Sequence, residues 1–224
     1  MPGTRPDRFD KAVAGRGYNS AGSPDRSQTE RRSIVSAHRS LTTAQLLVQC
    51  LENEGVESVF GIPGEENIRL VDAMKDSHMR FITVRDERAA SFMADLYGRV
   101  TGKPGVCAAT LGPGAINLLL GTAVALTSST LLVAISAQVG LNRIHKETHQ
   151  IIDVLSVFKP VTKWAEMIVS SAAVPEMVRR AFKKPKRSGQ ATPILVFPKT
   201  LRRSRASLAS AHLSVPTSRT PCRP

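Results

Sequence analysis

Residues 84–106, VRDERAASFMADLYGRVTGKPGV, decide the fold because they join a strand to a helix and then lead into a second strand. The run that overlaps their start, RFITVR, is apolar enough for a buried strand, and residues 87–100 carry apolar side chains at helical spacing. Gly102 and Pro104 are typical of the end of such a helix. Glu87 therefore lies at the junction between strand and helix.

Strands and helices alternate through the middle of the chain. The pattern predicts strands at 58–61, 80–85, 105–110, 130–136 and 193–198, and helices at 43–54, 66–76, 87–100, 115–126 and 174–183. Thr42 or Thr43 is the expected cap of the first helix. Because the strands are continuous apolar runs, we predict an α/β fold, a parallel sheet with helices on both faces.

Two glycine-rich turns, GIPG (61–64) and LGPG (111–114), are predicted at the same edge of the sheet as Glu87. Ligands of parallel sheets bind beyond the carboxyl ends of the strands, and glycine lets backbone approach a ligand closely. Glu87 could simply stabilise the first turn of its helix, by about 0.3–1 kcal/mol. However, Ala90, Met93, Ala94 and Tyr97 are expected on one face of this helix, which would press it into the core. A carboxylate is costly there unless a polar group uses it.

The net charge of +13 lies mostly at the two ends of the 224-residue chain. Residues 1–40 carry eight basic and four acidic side chains, and residues 199–224 carry six basic and no acidic ones. Neither end offers an apolar face that would offset the entropy of ordering. We therefore predict a disordered basic extension at 1–40, one domain at 41–200 and a disordered tail at 201–224. Nucleic-acid binding is not expected, because the domain itself is nearly balanced in charge.

The remaining signals point to no metal site and no membrane. Cys50, Cys107 and Cys222 share no disulfide or metal-site spacing, which fits a reducing compartment. His145 and His149 have helical spacing but no evident third ligand. No apolar run reaches the roughly 18 residues of a membrane helix, and acidic residues near the start argue against a transit peptide. We predict a cytoplasmic protein.

Four longer motifs are similar to a known family. They are EGVESVFGIPGEEN (54–67), RDERAASFMADLYGRVTGKPGV (85–106), TLGPGAINLLLG (110–121) and KETHQIIDVLSVFKPVTKW (146–164). In content and order they resemble the N-terminal, pyrimidine-binding domain of thiamine-diphosphate-dependent enzymes, above all the large subunit of acetolactate synthase. The resemblance covers residues 41–200 and implies the thiamine-diphosphate-binding fold. Within the last motif, Glu147, His149, Gln150 and Asp153 match the family's interdomain segment.

The resemblance implies a catalytic role for Glu87. In the family, the glutamate at this junction hydrogen-bonds N1′ of the cofactor's aminopyrimidine and favours its imino tautomer. The exocyclic nitrogen then removes the C2 proton of the thiazolium, giving the ylid that attacks a 2-oxo acid. Pro63, Thr110, Pro113 and Asn117 would border the pyrimidine. From the residues alone, these four are equally a turn former, a strand end, a helix-start proline and a helix surface residue.

Several positions depart from the family pattern. Asp86 and Arg88 replace a neutral pair, Val124, Ser128 and Leu131 replace two acidic residues and a proline, and Pro185 interrupts a helix. Full-length relatives also contain a middle domain, which holds FAD in acetolactate synthases, and a diphosphate domain with a Gly-Asp-Gly motif that binds Mg²⁺. No Gly-Asp pair occurs in this chain.

The function implied is thiamine diphosphate binding, with acetolactate-synthase-like carboligation and decarboxylation of 2-oxo acids such as pyruvate, incomplete in this chain alone. The chain would hold only the pyrimidine end of the cofactor, and the ligands of Mg²⁺ and FAD would belong to the missing domains. Its expected partner is a second copy, giving a homodimer, or a full-length thiamine-diphosphate enzyme subunit. The alternative is a non-catalytic, truncated domain that acts as a remnant or dimerisation module.

Overall fold

A six-stranded parallel sheet forms the centre of the computed structural model, which describes residues 41–146, 150–183, 193–199, 201 and 205–206. Its strands are β2 (Ser58–Gly61), β3 (Arg80–Thr83), β4 (Gly105–Ala109), β5 (Leu132–Gln138), β6 (Trp164–Met167) and β7 (Pro193–Pro198). They lie in the order β3-β2-β4-β5-β7-β6, and every neighbouring pair is parallel. The predicted α/β class and parallel sheet are confirmed.

Seven helices of five or more residues surround this sheet in the described part of the chain. They are α1 (Thr43–Asn53), α2 (Ile68–Ala73), α3 (Glu87–Thr101), α4 (Pro113–Asn117), α5 (Leu119–Thr127), α6 (Val154–Phe158) and α7 (Val174–Phe182), with 3₁₀ turns at Met74–Asp76, Lys159–Val161 and Ser171–Ala173. A short antiparallel pair joins β1 (Leu41–Thr42) to β8 (Arg205–Ala206). Within the same residues, no helix is long and apolar enough to span a membrane.

The core consists of two apolar clusters, one on each face of the sheet. Alternate residues of one strand enter different clusters: Val106 lies with helices α1, α2 and α7, whereas Cys107 lies with helices α3 to α6. Both faces of the central strands are therefore buried, and β4, β5 and β7 are buried along their whole length. This is why these strands appear in the sequence as unbroken apolar runs.

Local signals set the ends of α1 and α3. Thr42 forms a capping box with Gln45, in which the Gln45 N–H donates to Thr42 Oγ1 and the Thr42 N–H donates to Gln45 Oε1. Asp86 caps α3 by accepting from the Arg88 N–H at 2.8 Å. The helix ends at Gly102, whose φ of +67° is a left-handed conformation that glycine adopts without strain.

The structure differs from the sequence prediction at several elements, and Met93, which was expected on the core face of α3, is 45% accessible. The predicted helix 66–76 is shorter and ends in a 3₁₀ turn, and the predicted helix 115–126 starts earlier and breaks at Leu118. Strand β6 and helix α6 were missed, because each has only four or five residues and β6 is a half-buried edge strand. Ordered structure also continues beyond Thr200: Leu201 is buried in the core and β8 pairs with β1. Otherwise the domain limits stay predictions, since residues 1–40, 202–204 and 207–224 lie outside the described residues.

We predict that Gly105→Ala destabilises the fold by about 1–3 kcal/mol or more, as overpacking of a core does. A Cβ at this position would lie only 1.9 Å from the Ala94 carbonyl oxygen of α3, and backbone on both sides resists displacement. Denaturant unfolding monitored by circular dichroism measures the effect. The control is Gly102→Asn, where a Cβ meets nothing within 4 Å and asparagine tolerates the left-handed conformation. Equal losses in both variants would contradict the proposed close packing.

Candidate functional site

The predicted site residue Glu87 lies at the first position of α3, next to the capping residue Asp86. The residue as a whole is half-buried, and its Oε2 accepts a solvent-exposed hydrogen bond from Asn117 Nδ2 at 2.9 Å. Asn117 is the last residue of α4, thirty positions further along the chain. The fold therefore brings together two of the residues that the sequence analysis selected.

Thr110 lies between Glu87 and the GIPG turn. It packs closely against Gly114 and Gly64, which carry no side chain. A Cβ on Gly114 would lie 3.1 Å from Glu87 Oε1 and 2.9 Å from Thr110 Cγ2. A Cβ on Gly64 would likewise lie 2.9 Å from Thr110 Cβ. On its Oε1 side the carboxylate is thus bordered by glycine backbone, with no side chain at position 114. These residues fit the aminopyrimidine of the implied cofactor, because a fixed carboxylate offers its ring nitrogen a hydrogen-bond acceptor.

The two prolines among the predicted site residues lie at the same edge but are exposed. Pro63 is in the turn after β2, and Pro113 is the first residue of α4, a position that proline favours because its missing N–H has no helical partner there. Their contacts with a pyrimidine stay predictions. The prediction for Glu87, Thr110 and Asn117 also concerns contact with a ligand, and their clustering in the fold is consistent with it.

Asp86 and Arg88, which replace the family's neutral pair, bind each other. Arg88 Nε donates to both Asp86 carboxylate oxygens at 3.0 Å, and Arg88 Nη2 donates to Asp86 Oδ2. These hydrogen bonds lower the pKa of Asp86 from 3.8 to about 2. The added acid and base therefore neutralise each other on the surface, and neither is an ion-pair partner of Glu87 in the described structure.

A cleft of about 280 Å³ opens beside this cluster, beyond the carboxyl ends of β2, β4 and β5. It is lined by Gly64, Glu65, Glu66, Thr110, Leu111, Val139, Arg143 and Gln150. Thr110 belongs to both the cleft and the Glu87 cluster. Of the predicted site residues, Thr110 alone is among the cleft-lining residues.

Lys199 binds the two glutamates that line one side of the cleft. Its Nζ donates to Glu65 Oε1 and Glu66 Oε1, both at 2.8 Å, and these hydrogen bonds raise the pKa of Lys199. The contact links the end of β7 to the turn after β2, over more than 130 residues. Sequence analysis missed both Lys199 and Arg143. The rule that ligands bind at carboxyl ends would have identified Lys199, since it directly follows a predicted strand.

Other predicted features of the segment after β5 are only partly described. Glu147 and His149 lie outside the described residues. Gln150 lines the cleft, and Asp153 caps α6 by accepting from the Ser156 N–H at 3.1 Å. Across the described parts of the chain, no group of three or more His, Cys, Asp or Glu side chains is arranged to hold a metal ion.

Comparison with known proteins gives consistent matches. Residues 41–157 match the family described as "Thiamine pyrophosphate enzyme, N-terminal TPP binding domain". The chain is 43% identical over 140 residues to "Acetolactate synthase, catabolic" of Raoultella terrigena, which covers 62% of this chain and 25% of that protein. It is 41% identical over 140 residues to the acetolactate synthase of Bacillus subtilis, and this match covers 62% of the present chain and 25% of that protein. It is 37% identical over 165 residues to "Acetolactate synthase, chloroplastic" of Arabidopsis thaliana, and this match covers 73% of the present chain and 24% of that protein.

We predict that Asp86 contributes stability that is lost in acid. Its pKa is about 2 in the folded chain and near 3.8 when unperturbed, so the contribution is complete above pH 3.8 and disappears as pH falls towards 2. Asp86→Asn keeps an oxygen that can accept from the Arg88 N–H but lacks this pH dependence, whereas Asp86→Ala loses the cap as well. Urea unfolding between pH 2 and 5 measures how the free energy of unfolding of each variant differs from that of the unsubstituted chain. A difference that stays constant over that range would contradict the prediction.

Proposed function

The chain belongs to the thiamine pyrophosphate enzymes, matching their N-terminal TPP-binding domain, and from this we propose that it binds the aminopyrimidine of thiamine diphosphate at Glu87. The single observation that carries the proposal is the fixed carboxylate. Glu87 Oε2 is held by Asn117, and Oε1 lies beside Gly114, where no side chain intervenes. Such an arrangement offers N1′ of the pyrimidine a hydrogen-bond partner whose position is set by the fold.

In the proposed mechanism, Glu87 holds a proton at N1′ and exchanges it during the reaction, as a general acid and base. Asn117 orients the carboxylate through its Nδ2, and Gly114 and Thr110 set the space beside it. When bound, the cofactor supplies the carbanion chemistry that acts on a 2-oxo acid. The reaction class we propose is acetolactate-synthase-like decarboxylation and carboligation of 2-oxo acids such as pyruvate, supported by the names of the relatives.

The activity is proposed to need a partner chain. The chain spans about a quarter of the length of the curated relatives it matches. We propose that Mg²⁺, the cofactor's diphosphate and FAD are held elsewhere in an assembly, because the Glu87 cluster offers groups suited only to the pyrimidine end. The diphosphate and its metal carry most of the charge of the cofactor, so the lone chain is expected to bind thiamine diphosphate weakly.

An exposed apolar face supports a partner at this site. It consists of Phe92, Met93, Leu96 and Val100 of α3 and Leu120 of α5, with 40–76% of each residue accessible. We name this set the α3–α5 face. The four α3 residues recur at helical spacing, so they line one side of the same helix that begins at Glu87. A patch of this kind marks an interaction surface, and a second copy or a full-length relative is the proposed partner.

The same face favours the second candidate function, a non-catalytic pyrimidine-binding domain that serves as a dimerisation module. The two candidates differ in whether an assembly of this chain exchanges protons with the cofactor. A cytoplasmic location is proposed for either, since the described thiols Cys50 and Cys107 are free and buried. Burial raises their pKa values to about 11 and about 12, which keeps both as unreactive thiols.

We predict that Glu87→Gln abolishes the chain's contribution to proton exchange at C2 of the cofactor. The chain, mixed with thiamine diphosphate, Mg²⁺ and a diphosphate-domain chain from a relative, should accelerate deuterium exchange at C2, followed by proton NMR. The amide cannot deliver a proton to N1′, so the rate should fall about 100-fold or to background. Glu176→Gln, an exposed carboxylate on α7, is the matched control and should keep the rate.

Equal exchange by the Glu87→Gln protein would remove Glu87 from the mechanism and leave it a helix-dipole role. Absence of any acceleration, with association intact, would favour the dimerisation module. Robust acetolactate formation by the lone chain would contradict the proposed need for a partner.

We predict that Leu96→Asp weakens self-association. Leu96 belongs to the α3–α5 face and is 60% accessible, and a charge there must be desolvated when a partner covers it. Sedimentation velocity at several concentrations measures the change. Val169→Asp is the control, because Val169 is equally exposed, at 61%, but follows β6 outside this face. A monomer at every concentration that binds no hydrophobic dye would contradict the proposed interface.

A further inference from the structure

The cleft beside Thr110 carries charges that restrict its ligand. Glu65 and Glu66 both line it, and Lys199 is hydrogen-bonded to both carboxylates. This side of the cleft therefore combines two carboxylates with one ammonium group.

Arg143 adds a positive charge to the lining of the cleft. Among the described residues that line the cleft, it is the basic one, and its side chain is accessible to solvent. A guanidinium is planar and binds a carboxylate through two parallel hydrogen bonds, which an ammonium cannot do.

The other polar groups suit a small oxygen-containing molecule. Thr110 offers a hydroxyl and Gln150 an amide, and both can donate to a carbonyl oxygen. The volume of about 280 Å³ is near the lower end of the range for small-molecule sites. Thr110 also borders the Glu87 cluster, so a molecule in the cleft lies next to the proposed cofactor site.

We infer that Arg143 binds the carboxylate of a small 2-oxo acid in this cleft and so sets the preference for anionic substrates. The inference rests on the proposed function, which makes a 2-oxo acid the substrate. It goes beyond that function by naming a residue of this chain that recognises the substrate's charge. The opposite preference, for a neutral or cationic molecule drawn by Glu65 and Glu66, is an outcome of the test.

The experiment compares binding of pyruvate with that of pyruvamide, its neutral counterpart, to the full chain by saturation-transfer NMR titration. Pyruvate should bind more tightly than pyruvamide. Arg143→Ala should weaken pyruvate binding at least about tenfold, the effect of losing a charged hydrogen bond, and leave pyruvamide binding unchanged. Arg143→Lys should retain part of the affinity. Lys146→Ala is the matched control, because it removes one positive charge from the same segment at a residue that does not line the cleft.

The inference is overturned if the unsubstituted chain binds no pyruvate, if it binds pyruvamide as tightly, or if Arg143→Ala and Lys146→Ala have equal effects. Circular dichroism of each variant verifies that it is folded, and the lysine variant provides a second test at the same position. Exchange at C2 of the cofactor is measured without pyruvate. A negative result for Arg143 in the pyruvate titration is therefore distinguishable from a negative result for Glu87 in the C2 exchange experiment.

Discussion

The close contact between α3 and the sheet is the constraint on which the site depends. Ala90 and Ala94 are fully buried, and the Ala94 carbonyl lies so near Gly105 of β4 that no larger residue fits there. On its other side, Ser91 packs against Gly121 of α5 with no room for a Cβ. Small residues at these contacts hold the helix at a single height above the sheet. Because Glu87 is the first residue of that helix, its carboxylate is fixed at the carboxyl edge.

Local neutralisation keeps the charged residues around this edge compatible with one another. Asp86 pairs with Arg88, and Lys199 pairs with Glu65 and Glu66. Asp86 and Arg88 flank Glu87 in the sequence, and Glu65 and Glu66 line the cleft. Neither set includes an ion pair with Glu87 among the described residues. The surface pair is worth little energetically, as exposed ion pairs usually are. Its consequence is instead electrostatic: the replaced pair beside Glu87 adds no net charge to the pocket.

The sequence predicted the parts of the fold that depend on local patterns. Strands β2, β4, β5 and β7 were found because burial on both faces makes them continuous apolar runs. Strand β6 was missed because it is a short edge strand, where this signal is weak.

The site divides in the same way. Family motifs identified Glu87, Thr110 and Asn117, which the fold brings together. The link from Lys199 to Glu65 and Glu66 joins residues more than 130 positions apart, and no periodicity or spacing rule reports such a contact. Arg143 lies in the irregular stretch after β5, where no motif marks its side chain as part of a cleft.

Helix α3 carries three separate constraints: its small residues fit the sheet, its first residue holds the site, and its α3–α5 face remains exposed. Asp95 imposes a fourth constraint on the helix. It is 5% accessible and forms an ion pair with Arg99 through Oδ2, but its Oδ1 has no hydrogen-bond partner in the described structure. A buried oxygen without a partner costs about 1–3 kcal/mol, which the tight packing of the helix on β4 and α5 must offset. A substitution in α3 can therefore lower activity through packing, association or chemistry. Glu87→Gln changes the first side chain of the helix without changing its size, so it separates chemistry from packing and association.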